Sequence, residues 1–207
     1  MFENRLKNVL SKSKTIRNNL GNKPLPLAKL EKGCKEFAKC YKYGFEVRAL
    51  SGIPTQEWRG FSTFSESRIY YVLIDKNLTE EKKWFIGAHE CAHILFHHYY
   101  LRDTNHRANR ENEEEAHLFA QLCFWPLNKI AARGPFDMGE NGLVKALVDY
   151  QMVEFEKKGF NYERDKLEIY AYLFIRRLER FMPHTYHRLL SSLQSFPILV
   201  QYTTLHP

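Results

Sequence analysis

The sequence predicts an α+β fold in which a small, mostly antiparallel β-sheet packs against amphipathic helices. Strand-like alternation is confined to residues 44–74, and segments with apolar residues at helical spacing lie on both sides of it. At 207 residues with 44% apolar content, the chain can bury a substantial core. We expect one compact unit rather than an extended array.

Breaks at glycine and proline separate the elements of the first 80 residues. The expected elements are a helix over 2–20, a helix over 27–41, a strand over 44–50 and, after a turn at 51–54, a hairpin of 60–64 and 68–74.

The hairpin offers a strand edge. Residues 58–64 predict an edge strand that could hold an extended peptide through its main chain, with Phe61 and Thr63 as candidate substrate contacts. A plain edge strand is the alternative.

The most informative motif follows the hairpin and reads His-Glu-x-x-His, with His89, Glu90 and His93. Two histidines four positions apart lie about 40° apart on a helix, so both imidazoles can reach one metal ion. Glu90 is displaced by about 100°, too far to ligate easily but near enough to take a proton from metal-bound water. This arrangement is typical of zinc hydrolases, and it predicts one Zn²⁺ per chain.

The context favours a buried helix for this motif. Asn77 or Thr79 can cap its start, and carboxylates occupy the first turn. Apolar residues then recur at helical spacing and supply a face for core packing.

A catalytic zinc ion usually has three protein ligands, and the next predicted helix can supply the third. Glu113 and His117 share one face of that helix, so one can bind the metal while the other orients a ligand. Glu111 and Glu114 are more simply a solvated first turn.

His97 lies two turns beyond His89, about 12 Å along the axis, and cannot share the ion on an unbroken helix. It remains a candidate to orient a ligand or to cover the site. The extended motif with a third histidine also fails, because Phe96 and Tyr99 occupy its glycine and histidine positions. A zincin with a glutamate ligand is the remaining arrangement.

Longer stretches resemble the ImmA/IrrE family of metallopeptidases. Residues 69–90 are similar to the strand, turn and active-site helix of that family, and 113–120 resemble its E-x-E-A-N-x-F-A element. The resemblance covers about residues 40–131. It implies that His89 and His93 are zinc ligands, that Glu90 is the general base and that Glu113 is the third ligand.

Three positions depart from the family pattern, namely Cys91, Ala92 and His117, the last of which replaces an asparagine. Known members are cytoplasmic proteases that cut helix-turn-helix repressors of mobile elements or stress responses. The resemblance therefore implies a DNA-binding repressor as the substrate.

Basic charge is concentrated at the N-terminus, where residues 1–50 hold 12 Lys and Arg against 4 Asp and Glu. Lys12, Lys14 and Arg17 are candidates for a weak contact with nucleic acid or an acidic partner. A solvated helix face is the commoner explanation.

Composition points to a cytoplasmic protein without a membrane anchor, since no apolar run reaches 18 residues and no signal-peptide core follows Met1. The four cysteines form no C-x-x-C pair, so we expect free and mostly buried thiols. The oligomeric state is not predicted.

After Pro126, residues 134–142 predict a loop, and helical patterns cover 143–157, 165–181 and 184–194. We divide the chain into a zincin-like domain over 1–131 and a helical extension over 132–207. The extension could be a lid, a partner surface or a sensor.

These patterns predict a zinc-dependent endopeptidase acting on a protein substrate. The alternatives are a regulator that binds a repressor without cutting it, and a nucleic-acid-binding protein with a structural zinc ion.

Overall fold

The structure is a computed structural model that describes residues 2–51, 59–98, 106–132, 139–157 and 163–191. It confirms the α+β fold. The elements within those ranges are, in chain order, α1 (Phe2–Lys12), α2 (Lys14–Asn19), α3 (Leu27–Lys39), β1 (Gly44–Leu50), β2 (Gly60–Phe64), β3 (Ile69–Asp75), α4 (Glu80–Leu95), α5 (His106–Phe124), α6 (Leu127–Ala131), α7 (Gly139–Lys157), α8 (Arg164–Phe181) and α9 (Pro183–Ser191).

The strands form a three-stranded sheet in the order β1-β3-β2. The predicted hairpin is present, since β2 pairs with β3 antiparallel, and Ser65 N donates to Ile69 O to close it. The sheet is mixed rather than mostly antiparallel, because β1 pairs with β3 in parallel. A parallel neighbour needs a long crossover connection, and the chain between β1 and β3 contains the whole of β2.

One face of the sheet is buried against helices. Tyr70, Val72 and Ile74 alternate along β3 and are buried, while α4 contacts both β2 and β3. Gly87 permits the close approach of α4, because a Cβ atom there would lie 2.8 Å from Leu27 Cδ1 and 3.0 Å from Ile74 Cδ1. The motif helix is thus fixed on the sheet.

The N-terminal helix predicted over 2–20 is two helices that meet at Ser13. Ser13 is extended and its side chain accepts a hydrogen bond from Ile16 N, which caps α2. Glu36 of α3 reinforces this junction: its Oε2 accepts from Thr15 N at 2.9 Å and its Oε1 from Thr15 Oγ1 at 2.6 Å. A periodic pattern that continues across Ser13 could not reveal this break.

The C-terminal helices pack on the motif region. α8 contacts α5, and Trp125 stacks near Phe174 with ring centroids 4.8 Å apart. The loop predicted over 134–142 ends earlier, since α7 begins at Gly139, and its first part lies outside the described residues. Most of the turn predicted over 51–54 and the end of the last predicted helix also lie outside the described residues.

Cys34, Cys91 and Cys123 are buried free thiols, as predicted, whereas Cys40 is exposed. In the part of the chain that the structure describes, every helix is too short or too polar to cross a bilayer.

The Glu36 contacts predict a pH-dependent contribution to stability. Burial raises the pKa of Glu36, but the hydrogen bonds from Thr15 and Ser13 outweigh it and leave the pKa lowered. This stabilisation is therefore full above the unfolded-state pKa of about 4.3 and is lost as the pH falls through the folded-state pKa. We expect Glu36→Gln to lower the free energy of unfolding by about 1 kcal/mol at pH 7 and by much less in acid.

Urea unfolding at pH 7 and pH 2.5 measures this difference. Glu31→Gln is the matched control, because Glu31 on the same helix pairs with Lys35 of that helix and not with the Ser13 junction. An equal loss of stability at both pH values would contradict the assignment.

Candidate metal centre

The two histidines of the motif and one glutamate from α5 converge. His89 Nε2 lies 3.1 Å from Glu113 Oε2 and 3.0 Å from His93 Nε2, and His93 Nε2 lies 3.4 Å from Glu113 Oε1. Zinc bonds to nitrogen and oxygen of about 2.0–2.1 Å place the ligands of a tetrahedral ion about 3.3 Å apart. The three donors therefore fit a metal ion with little movement.

Electrostatics agree with this fit. The hydrogen bonds from His89 and His93 hold the pKa of Glu113 well below its usual range, so its carboxylate is ionised. The imidazoles of His89 and His93 are only 12% exposed, which removes competing water from most of their surface.

His117 adds a fourth donor from α5. Its ring centroid is 4.4 Å from that of His89, and donor atoms of His89, Glu113 and His117 all lie within 4.8 Å of one another. Burial lowers the pKa of His117 to about 4, so the imidazole is neutral at pH 7. His117 could therefore ligate a metal ion or donate a hydrogen bond to a bound group.

Glu90 lies on the adjacent face of α4 and is held by the sheet. Ser62 Oγ donates to Glu90 Oε2 at 2.6 Å, and Ser62 is only 3% exposed. Among the described residues, no hydrogen bond to the other oxygen, Glu90 Oε1, is present, so that oxygen can accept a proton. Gly60, two residues earlier on β2, allows the approach, because a Cβ there would clash with Ile86 of α4.

The residue that orients His93 is His98 rather than His97. His98 Nδ1 lies 2.9 Å from His93 Nδ1, and His98 Nε2 lies 3.3 Å from Glu115 Oε2. His97 instead packs on the rings of Phe37 and Tyr41, with centroids 5.4 and 5.0 Å away. His97 lies just beyond the end of α4 and has a left-handed backbone, with φ of 56°. The side chains of His97 and His98 therefore point in different directions.

These contacts form a continuous buried path. Glu115, itself 2% exposed, also accepts from Arg5 of α1, with Arg5 Nη2 2.6 Å from Glu115 Oε1. If His93 Nε2 binds metal, His93 Nδ1 carries the proton and donates to His98 Nδ1, and His98 Nε2–H then donates to Glu115. This path requires His98 to be neutral. Burial lowers the pKa of His98, which favours the neutral form.

Sequence reasoning missed this path. The sequence predicts that Glu111 and Glu114 lie in a solvated first turn, but α5 begins at His106 and places them further along the helix. Glu114 pairs with Arg177 at 2.6 Å and Glu111 with Arg180 at 3.3 Å. Helical spacing carries no signal for this path, because Glu115 lies about 200° around α5 from Glu113 and His98 lies beyond the end of α4.

The strand register corrects the expected substrate contacts. Asp75 N donates to Arg59 O and Ser65 N to Ile69 O, so the odd-numbered residues of β2 form the hydrogen-bonded pairs with β3. The main-chain N–H and C=O groups of Phe61 and Thr63 are therefore hydrogen-bonded to β3 within the sheet. Gly60, Ser62 and Phe64 turn theirs to the opposite edge of β2, where the described residues contain no further strand.

Lys12, Lys14 and Arg17 lie on α1 and α2, away from the motif helix in the sequence. Lys12 Nζ contacts Asn8 Oδ1 and lies 5.1 Å from the Tyr41 ring centroid. Within the described residues, none of the three forms an ion pair, so a contact with nucleic acid remains a prediction.

The path predicts that His98 supports metal affinity. We expect His98→Phe to weaken zinc binding by about 10- to 100-fold, as loss of a ligand-orienting partner does elsewhere. Competition with a chromogenic chelator measures this affinity. His97→Phe is the matched control and should leave it unchanged; equal weakening in both variants would refute the path.

Comparison with known proteins agrees with the geometry. The model of the IrrE N-terminal-like domain, Peptidase_M78, matches residues 42–132, which include the sheet, the motif helix and α5. No curated protein and no solved structure matches the chain. The resemblance expected over about residues 40–131 is thus confirmed, because residues 42–132 match the IrrE N-terminal-like domain.

Proposed function

We propose that this protein is a zinc-dependent endopeptidase that hydrolyses a peptide bond in a protein substrate. The observation that carries the proposal is the convergence of His89, His93 and Glu113, with separations of 3.0–3.4 Å between their donor atoms. Three protein donors leave one position of a tetrahedral ion for water, as in catalytic zinc sites.

Zinc, when bound, lowers the pKa of a water molecule to about 7 and polarises a carbonyl group. Glu90 supplies the proton transfer. Because Ser62 fixes Glu90 Oε2, the other carboxylate oxygen can accept a proton from the attacking water and return it to the leaving amine.

The free edge of β2 suits an extended substrate. Gly60, Ser62 and Phe64 present main-chain groups along it, and Ser62 also touches Glu90. A peptide that pairs with these groups by β-augmentation would run beside the general base. Main-chain pairing binds any sequence, so side-chain pockets must supply selectivity.

The substrate class rests on the family. Its known members cut helix-turn-helix repressors, and we extend that substrate class to this chain. The basic residues of α1 and α2 could bring the enzyme to a repressor on DNA.

A structural metal site is the second candidate, and His117 is the observation that favours it. If His117 were a fourth ligand beside His89, His93 and Glu113, no position would remain for water. The protein would then act by binding alone.

Replacement of the general base separates catalysis from sequestration. We expect Glu90→Gln to retain zinc and to slow cleavage by about 100- to 10,000-fold, because a positioned base contributes that much. The measurement is the cleavage of a purified helix-turn-helix repressor, followed by mass spectrometry. Full relief of repression by Glu90→Gln would instead establish sequestration.

Replacement of the third ligand tests the metal set. We expect Glu113→Gln to weaken zinc affinity by more than about 100-fold, since loss of an orienting partner alone costs 10- to 100-fold. Glu111→Gln on the same helix is the control, because Glu111 pairs with Arg180 instead. Unchanged zinc affinity in Glu113→Gln would remove it from the site.

A further inference from the structure

We propose that a pocket between α4, α5, α7 and α8 receives one large apolar side chain of the substrate, next to the scissile bond. This inference rests on the proposed peptidase function and specifies its substrate. It also gives the C-terminal helices a role in selecting the residue that is cut.

The pocket has the size of one side chain. Its volume is about 280 Å³, below the roughly 300–1,000 Å³ of sites for drug-sized ligands. Its main apolar walls are Phe85, Ile86, Phe124, Trp125, Leu167 and Tyr170.

Its position links it to the metal centre. Phe85 stacks against His117 with ring centroids 6.4 Å apart, and His117 lies 4.4 Å from His89. Phe85 and Ile86 precede His89 by one turn of α4, so they share its side of the helix. Phe85, a wall of the pocket, therefore connects it to the ring of His117, next to the proposed ligand His89.

Its other end adjoins the substrate edge. Ile86 lies against Gly60 of β2, whose main chain faces the free edge. A peptide paired with Gly60 and Ser62 would place alternate side chains toward α4, at the level of Ile86. In this register the main chain of the peptide pairs with β2, and one of its side chains enters the pocket.

The lining selects apolar groups. Phe85 and Ile86 are half-buried apolar side chains on its floor, and Tyr170 of α8 is 45% exposed at its wall, 6.4 Å from the Phe85 ring. Covering such surface with an aliphatic or aromatic side chain is favourable. Glu81 and Lys82 also line the pocket, but most of its lining is apolar. Glycine or alanine would leave the pocket unfilled.

Hydroxamates test the pocket without a known substrate, because they bind zinc directly. We compare acetohydroxamate with a succinyl hydroxamate that carries a benzyl side chain and with its unsubstituted parent, by calorimetry on the zinc-loaded full-length protein. We expect the benzyl compound to bind about 10- to 100-fold more tightly than the parent, because burying one large apolar side chain increases affinity by about that factor.

Two tyrosines of α8 provide matched variants. Tyr170 and Tyr172 are each 45% exposed, but only Tyr170 lines the pocket. We expect Tyr170→Ala to reduce the benzyl advantage several-fold without changing acetohydroxamate affinity, and Tyr172→Ala to change neither.

The outcomes separate the pocket from the metal centre. If acetohydroxamate binds and the benzyl group adds nothing, the pocket is refuted while the metal centre stands. If the benzyl compound binds although acetohydroxamate does not, the pocket stands and the metal centre fails. Binding of none of them refutes both, and equal effects of the two tyrosine variants refute the role of α8.

Discussion

The close packing of α4 on α5 is the constraint on which the site depends. His89 and His93 come from one helix and Glu113 from the other, and no stretch of either helix alone could bring all three together. Both helices carry small buried residues next to the donor residues, with Ala88 and Ala92 on α4 and Ala116 on α5. Side-chain size at the contact sets the distance between helix axes, so small residues let the donor atoms meet.

Burial at this junction also tunes the chemistry. An imidazole in a dry environment favours its neutral form, which is the form that ligates metal. His98 and Glu115 extend that environment away from the site, and Arg5 compensates the buried carboxylate. An unpaired carboxylate at that depth would cost several kcal/mol, which explains why a residue of the first helix contacts Glu115. The N-terminal helix, outside the matched segment, is thereby connected to His93, a proposed metal ligand.

Local spacing was sufficient to predict the motif helix, the hairpin and the pair Glu113 and His117. Each depends on a periodicity that the sequence displays directly. The mixed sheet was not predictable, because the direction of β1 relative to β3 depends on the path of the intervening chain. His98 was missed for a related reason: a reversal of φ at His97 exchanges which of two adjacent histidines faces the ligands. The strand register likewise determines whether Phe61 or Gly60 presents its main-chain groups at the edge of β2. A shift of one residue would reverse every main-chain and side-chain direction.

The decisive property of the centre is how many protein donors surround the metal. A catalytic site has two imidazoles, one carboxylate and an exchangeable solvent oxygen, whereas recruitment of His117 would complete the shell with protein alone. X-ray absorption spectroscopy of the zinc-loaded protein, with and without added azide, measures this shell directly. The account predicts two nitrogen donors from histidine, one carboxylate and one solvent ligand that azide replaces; a shell of three imidazoles and a carboxylate that azide leaves unchanged would contradict it.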